Sequence, residues 1–106
     1  MKYFYLVAPL VKLPLKKSQL FTYHADRPAS VGSLVSINFG FKQTEGIVIA
    51  KTKRPPYPTK KLILKEKSFL TQNQIDLAQS LAQYYYAPLG TTLKLFTLKK
   101  TKTSKA

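Results

Sequence analysis

The sequence contains no cysteine, and only four of its 106 residues are acidic. Without cysteine, disulfide bonds, thiolate metal sites and cysteine nucleophiles are excluded. No apolar run reaches the about 18 residues that a membrane-spanning helix needs. Residues 1–9 lack the long apolar stretch and small-residue cleavage site of a signal peptide, so we expect a cytoplasmic location. The length predicts one small domain, too short for an enzyme with an interdomain cleft.

Residues suited to catalysis are scarce. The acids Asp26, Glu45, Glu66 and Asp76 are scattered along the chain with no pair at a useful spacing. His24 is the single histidine, and no set of metal ligands can be built around it. No serine lies in a G-x-S-x-G motif, and no G-x-x-x-x-G-K-[ST] phosphate-binding loop is present. We therefore expect a protein that is not an enzyme and that needs no metal or other cofactor.

Positive charge is abundant. Lysine and arginine number 18, which gives a formal net charge of +14. All are lysines except Arg27 and Arg54, and lysine suits phosphate contact better than base reading. The cations concentrate in residues 51–67 and after residue 98, and their mutual repulsion indicates an anionic partner, which we predict to be nucleic acid rather than a membrane. Charge alone leaves two alternatives open, namely an acidic membrane or protein surface, and simple solubility.

Most of the chain has the pattern of short strands. Five segments bounded by turn residues are predicted as strands, namely residues 2–8, 19–24, 33–39, 45–53 and 61–65. The predicted fold class is therefore mainly β with one or two helices. It is a small OB-like open β-barrel or curled antiparallel sheet with a packed C-terminal helix. The predicted domain covers residues 1–98, followed by a basic, flexible tail over residues 99–106.

The pattern changes to a helical period after residue 70. Thr71 and Gln74 form a capping-box signature, which predicts the start of a helix. The apolar stripe of this helix is predicted to comprise Ile75, Ala78, Leu81, Ala82 and Tyr85. Pro88 and Gly90 predict that it ends near Tyr86. Residues 91–98 fit either a short helix or a strand.

Aromatic, glycine and lysine residues combine in segments 20–23, 39–42 and 59–62. Gly40 permits a positive φ angle and close approach of a ligand to the backbone. A neighbouring ring can stack on a base, and a lysine can hold its phosphate, as binding of a single-stranded end requires. The alternative is that Phe21, Tyr23 and Phe39 are core residues and that Gly40 belongs to an ordinary turn.

The order and spacing of several short motifs carry a family resemblance. They are Leu20-Phe21-Thr22-Tyr23, the segment 31–40 with its glycines at 32 and 40, Gly46-Ile47-Val48, Lys61-Leu62-Ile63, and Leu70-Thr71 through Pro88-Leu89-Gly90. Over residues 3–98 the chain resembles the N-terminal domain of the primosomal protein N′ (PriA) family of replication-restart helicases. The resemblance implies a domain that captures the 3′ end of the nascent leading strand at an abandoned replication fork, whichever base it carries.

By position, the resemblance assigns the 3′-end pocket to Phe21, Thr22, Gly40 and Lys61. Additional phosphate contacts are expected from Lys42, Lys53, Arg54 and Lys60. Family members often have aspartate where this chain has Thr22, and a hydroxyl lacks the charge-assisted strength of a carboxylate. We therefore expect weaker discrimination for a free 3′-hydroxyl.

The family protein continues into a winged-helix domain, a helicase core and zinc-binding cysteines, none of which occurs in these 106 residues. The chain is then an excised domain, a split protein or a fragment, and ATP hydrolysis is not carried over. The resemblance suggests a helicase core, in cis or in trans, and single-strand binding protein as partners.

Two other functions compete with end capture. A general RNA- or DNA-binding β-barrel of OB or cold-shock type would place several aromatic residues on an exposed strand face. Here Tyr84, Tyr85 and Tyr86 fall at a helix end, where Tyr85 is expected in the core, and this favours the end binder. An adaptor that docks acidic protein tails could use the same lysines.

Overall fold

The computed structural model describes residues 2–14, 18–66 and 69–104, with side chains described as far as Thr97. In chain order the elements are β1 (Tyr3–Pro9), β2 (Phe21–Ala25), β3 (Leu34–Phe39), β4 (Lys42–Thr52), β5 (Lys60–Lys61), β6 (Ile63–Glu66), α1 (Gln72–Tyr84) and α2 (Leu89–Ser104). The mainly β class with two helices is confirmed. Of the predicted tail, residues 99–104 belong to α2 with side chains outside the described part, and residues 105–106 lie outside the described residues. The flexibility of this tail therefore stays a prediction.

The six strands form one sheet in the order β5-β2-β1-β4-β3-β6. Neighbouring strands are antiparallel, except that β5 runs parallel to β2. Where the sequence predicts a single strand over residues 61–65, the structure has two short strands, β5 and β6, which lie at opposite edges of the sheet. The buried Leu62 stands between them. Since one residue joins the two edges, the sheet must curl, and it forms an OB-like half-barrel.

Both faces of the central strands are covered. Inside the curl lies a core cluster formed by Tyr5, Val7, Tyr23, Ala25, Val35, Ile37, Val48 and Leu62. On the outer face a second cluster joins the sheet to the helices and contains Ala8, Leu10, Ile47, Ile49, Phe69, Leu70, Ile75, Ala78, Ala82, Leu89 and Leu93. Because side chains alternate between faces, residues 46–49 of β4 are all buried, which explains their continuous apolar sequence.

Helix α1 begins at the predicted capping box. The backbone N–H of Gln74 donates to Thr71 Oγ1 at 3.1 Å, and the backbone N–H of Thr71 donates to the side-chain Oε1 of Gln74 at 2.9 Å. Ile75, Ala78 and Ala82 are buried as predicted. Residues 91–98, for which the sequence allowed a helix or a strand, lie in α2.

The prediction that Tyr85 belongs to the core is wrong. Tyr85 is 68% exposed, and Tyr84 and Tyr86 are exposed as well. The helix ends at Tyr84, Tyr85 is its C-cap, and Tyr86 has a positive φ of 54°. The helix therefore ends one residue before Tyr85, so Tyr85 does not continue the apolar face of α1 that packs against the sheet.

Gly32 attaches the segment before α1 to the sheet. Its φ is +89°, and a Cβ at this position would overlap the carbonyl oxygen of Leu70. The Gly32 amide donates to the Val48 carbonyl at 2.7 Å, and the Leu70 amide donates to the Gly32 carbonyl at 2.9 Å. Within the described residues, no helix is both long and apolar enough to cross a bilayer.

Candidate nucleic-acid interface

A groove of about 500 Å³ opens where β2, the β3–β4 hairpin and the loop before β5 meet. It is here called the end groove. Its lining contains three of the four residues that the resemblance assigned to the pocket, namely Phe21, Thr22 and Gly40. The other lining residues are Leu6, Ser18, Leu20, Tyr23, Asn38, Phe39, Tyr57, Pro58, Thr59 and Lys60.

The hairpin between β3 and β4 places Gly40 at the rim of this groove. Phe39 pairs with Lys42, so the connection consists of Gly40 and Phe41 alone. Gly40 has a φ of +64°, as the first central residue of a type II′ turn requires. No atom lies within 4 Å of where a Cβ would stand on Gly40, so the backbone here is open to a ligand.

Aromatic contacts fix the distance between β2 and β3 although these strands are not neighbours in the sheet. The rings of Phe21 and Phe39 meet edge to face with their centroids 5.0 Å apart. The buried Tyr23 hydroxyl donates to the Asn38 carbonyl at 3.3 Å, and burial raises the pKa of this phenol. The phenol therefore stays neutral and able to donate. Phe21 thus packs against the inner core cluster and also lines the end groove.

Lys61 does not line the end groove. Its ammonium lies 2.6 Å from the Asp26 carboxylate, in an adjacent groove formed by residues 25–29 and 61–64. This hydrogen bond, followed by Coulomb attraction to the same ammonium, lowers the pKa of Asp26. The cation in the end groove is instead Lys60, which pairs in register with Tyr23.

The remaining predicted phosphate contacts, Lys42, Lys53 and Arg54, are not part of the lining of the end groove. Lys42 is exposed and begins β4 directly after the Gly40 hairpin. Lys53 and Arg54 are exposed and follow the end of β4. Arg54 lines a second groove together with Lys2 and His24. The structure therefore brings Phe21, Thr22, Gly40 and Lys60 together and leaves the other predicted cations outside this groove.

Tyr57 and Pro58, which form the loop wall together with Thr59, were missed at the sequence level. Tyr57 is 57% exposed. A hydrogen bond of 2.7 Å between His24 Nδ1 and Thr59 Oγ1 ties the loop to β2. The signal was present in the sequence as a tyrosine among prolines, Pro55-Pro56-Tyr57-Pro58. His24 thus has a structural role in holding this wall.

The chemistry of the end groove suits binding. Its lining contains aromatic rings, hydroxyls, an amide and one ammonium, and it contains no carboxylate. Among the described residues, no group of three or more histidines and acids could hold a metal ion. The arrangement can offer a stacking surface, hydrogen bonds to a sugar hydroxyl or base edge, and attraction for a phosphate.

Comparison with known proteins is consistent with this geometry. A family model described as the 3′DNA-binding domain (3′BD) of PriA matches residues 10–97. The Replication restart protein PriA of Helicobacter pylori strain ATCC 700392 / 26695 is 33% identical over 94 residues, which covers 89% of this chain. The protein of the same name from strain J99 / ATCC 700824 is 34% identical over 94 residues. The chain spans 14% of the length of each of these relatives.

Proposed function

Since the chain belongs to the family of PriA 3′DNA-binding domains, we propose that it is a non-catalytic domain that captures the 3′ end of a DNA strand at stalled or abandoned replication forks, whichever base that end carries. The process served is replication restart, with the leading strand as the natural substrate. The cytoplasmic location expected from the sequence is part of the proposal.

One observation carries the proposal. The groove of about 500 Å³ is lined by residues from three separate parts of the chain, namely Phe21 with Thr22, Gly40, and Lys60. The space in front of Gly40 is free of protein atoms within 4 Å of where a Cβ would stand. A terminal sugar can therefore approach the backbone at the hairpin, and end capture requires that the protein behind this sugar excludes a strand that continues.

Base-independent binding follows from the kinds of groups available. Every base has a π-face, so an aromatic wall accepts any base, and stacking contributes about 1–3 kcal/mol per base. The Thr22 hydroxyl can hydrogen-bond the 3′-hydroxyl or a base edge. Lys60 is a flexible point charge that suits a phosphate and does not distinguish bases. The groove thus recognises features that all four terminal nucleotides share.

The direct test compares two oligonucleotides of the same length and sequence, one with a 3′-hydroxyl and one with a 3′-phosphate. We expect the hydroxyl form to bind the full chain more tightly, since end capture by steric exclusion leaves no room for a group beyond the 3′ oxygen. The preference should persist with each of the four bases at the 3′ end. Equal affinities for the two ends would overturn end capture while leaving general DNA binding intact.

The alternative is a general single-stranded RNA- or DNA-binding domain. The exposure of Tyr84, Tyr85 and Tyr86 favours this alternative more than the sequence did, because all three rings could stack on bases. These tyrosines lie at the end of α1 and not on a strand face. A general binder would show no preference for a free 3′ end and would lose affinity when these tyrosines are replaced.

Protein partners form a separate part of the proposal. A helicase core, in cis or in trans, would unwind DNA from the captured end within the primosome, and the acidic C-terminus of single-strand binding protein could contact the basic surface. Competition between an oligonucleotide and such an acidic peptide tests the second contact. Displacement of the peptide by DNA would indicate shared lysines, and independent binding would indicate separate surfaces.

A further inference from the structure

A second groove lies beside the end groove and has no role in the capture of the terminal nucleotide described above. It measures about 490 Å³ and is lined by Lys2, Phe4, His24, Arg54 and the loop residues 55–59. It is here called the basic groove. Its lining contains two exposed cations, Lys2 and Arg54, and no carboxylate.

The two grooves are adjacent. Tyr57, Pro58 and Thr59 line both of them, so the same loop lies between them. Tyr57 is 57% exposed at this boundary. A strand whose last nucleotide lies in the end groove can therefore pass over Tyr57 and enter the basic groove without leaving the protein surface.

Charge favours a phosphate backbone as the occupant. Arginine binds phosphate through a planar fork of donors, and lysine adds a point charge. Asp26 is close enough to Lys2 to feel its charge, but its carboxylate is paired with Lys61 at 2.6 Å. The ring of Phe4, tilted against His24 at a centroid distance of 6.4 Å, adds an aromatic surface to the groove.

We propose that the basic groove is a second DNA subsite, in which Arg54 and Lys2 bind the backbone phosphates of the nucleotides that lead into the captured 3′ end. This inference rests on the proposed function of the end groove and extends it. The subsite would set the direction in which the strand approaches and would add affinity that is independent of sequence.

The chain provides a matched control for the test, because its only two arginines are Arg54 and Arg27. Both are exposed, and Arg27 lies in the groove that holds Asp26 and Lys61. Arg54→Ala and Arg27→Ala therefore remove the same charge from two places. Binding of a thymidine octanucleotide with a free 3′-hydroxyl is measured for both variants over a range of salt concentrations.

We expect Arg54→Ala to weaken binding about two- to fivefold, as suits the loss of one exposed ion pair. The slope of log affinity against log salt should become shallower by about 0.7, because the variant neutralises one phosphate fewer on a single strand. Arg54→Lys, which keeps the charge, should restore most of the affinity. Arg27→Ala should change neither quantity appreciably.

Octanucleotides with one neutral methylphosphonate linkage locate the phosphate that Arg54 binds. The effect of Arg54→Ala should disappear when the second or third linkage from the 3′ end is neutral, and persist when a linkage near the 5′ end is neutral. An effect that is the same for every linkage, or equal losses in Arg54→Ala and Arg27→Ala, would overturn the subsite. Failure of the wild-type chain to prefer a 3′-hydroxyl over a 3′-phosphate would instead count against the end groove.

Discussion

Lys60 and Lys61 are consecutive residues of β5, yet their side chains belong to different grooves. Lys60 lines the end groove with Phe21, Thr22 and Gly40, whereas the Lys61 ammonium lies 2.6 Å from the Asp26 carboxylate. Successive side chains of a strand point to opposite sides, so only one of the two lysines can face the end groove. Family motifs define a lysine at this place in the sequence, but the register of β5 against β2 decides which lysine reaches the groove.

This difference predicts unequal effects of two matched substitutions. Lys60→Ala should weaken binding of an oligonucleotide with a free 3′-hydroxyl by a similar factor for all four terminal bases. Lys61→Ala should have a smaller effect, because its charge is already paired with Asp26. Fluorescence anisotropy titrations at one salt concentration measure both. A larger loss in Lys61→Ala than in Lys60→Ala would contradict this placement of the two side chains.

The same ion pair predicts the titration of Asp26. Its pKa is lowered by the hydrogen bond to Lys61 first and by Coulomb attraction to it second. The pair therefore contributes stability above the unfolded pKa of about 3.9, and this contribution is lost as the pH falls through the lower folded pKa. NMR titration of the Asp26 carboxyl carbon should give a midpoint below that of free aspartate. In Lys61→Ala the midpoint should rise, and a midpoint that this substitution leaves unchanged would contradict the ion pair.

The elements of this fold that local patterns define were predictable. Residues 71 and 74 had the capping signature of α1, and the alternation in residues 34–39 matched the two faces of β3. What failed depends on tertiary geometry. The split at Leu62 reflects the closure of the curled sheet, and the exposure of Tyr85 reflects the point where α1 stops. Neither can be deduced from a window of neighbouring residues.

The candidate site was predictable to the same extent. Phe21, Thr22 and Gly40 are brought together by pairings between distant strands, and the order of family motifs was sufficient to name them. The contribution of Tyr57 to the loop wall was missed, since the position of this loop depends on the hydrogen bond between His24 and Thr59 across 35 residues of sequence. The choice between Lys60 and Lys61 needed the parallel register of β5 with β2.

Thr22→Asp should sharpen recognition of a free 3′ end. A carboxylate at this position can accept a charge-assisted hydrogen bond from a 3′-hydroxyl, which is stronger than a bond between neutral groups. It would also repel a 3′-phosphate. The ratio of affinities for the hydroxyl and phosphate ends should therefore increase relative to wild type, with Thr22→Asn as the uncharged control. A ratio that stays the same, or that rises equally with asparagine, would show that Thr22 does not face the terminal sugar.

Gly40→Ala separates backbone strain from steric blocking. Alanine at a φ of +64° is strained by roughly 1–2 kcal/mol, but no neighbouring atom lies within 4 Å of the added methyl group. The variant should fold with a modest loss of stability in urea and should bind 3′ ends more weakly, because the methyl group enters the open space at the rim. Gly32→Ala is the contrasting variant, since its methyl group would overlap the Leu70 carbonyl oxygen and prevent folding. Unchanged binding by a folded Gly40→Ala protein would remove Gly40 from the site.

Tyr57 is the position at which the path of the strand can be followed directly. The chain has no tryptophan, so Tyr57→Trp introduces a single reporter at the boundary of the two grooves. Stacking on an aromatic side chain contributes about 1–3 kcal/mol per base. A base stacked on this ring should quench or shift its fluorescence when an oligonucleotide binds. The control is Tyr84→Trp, because Tyr84 is 75% exposed at the end of α1 and is absent from the linings of both grooves. A response at Tyr57→Trp alone would support a strand that passes from the basic groove into the end groove. A response at Tyr84→Trp alone would contradict that path and favour a general binder that holds nucleic acid along the helix end.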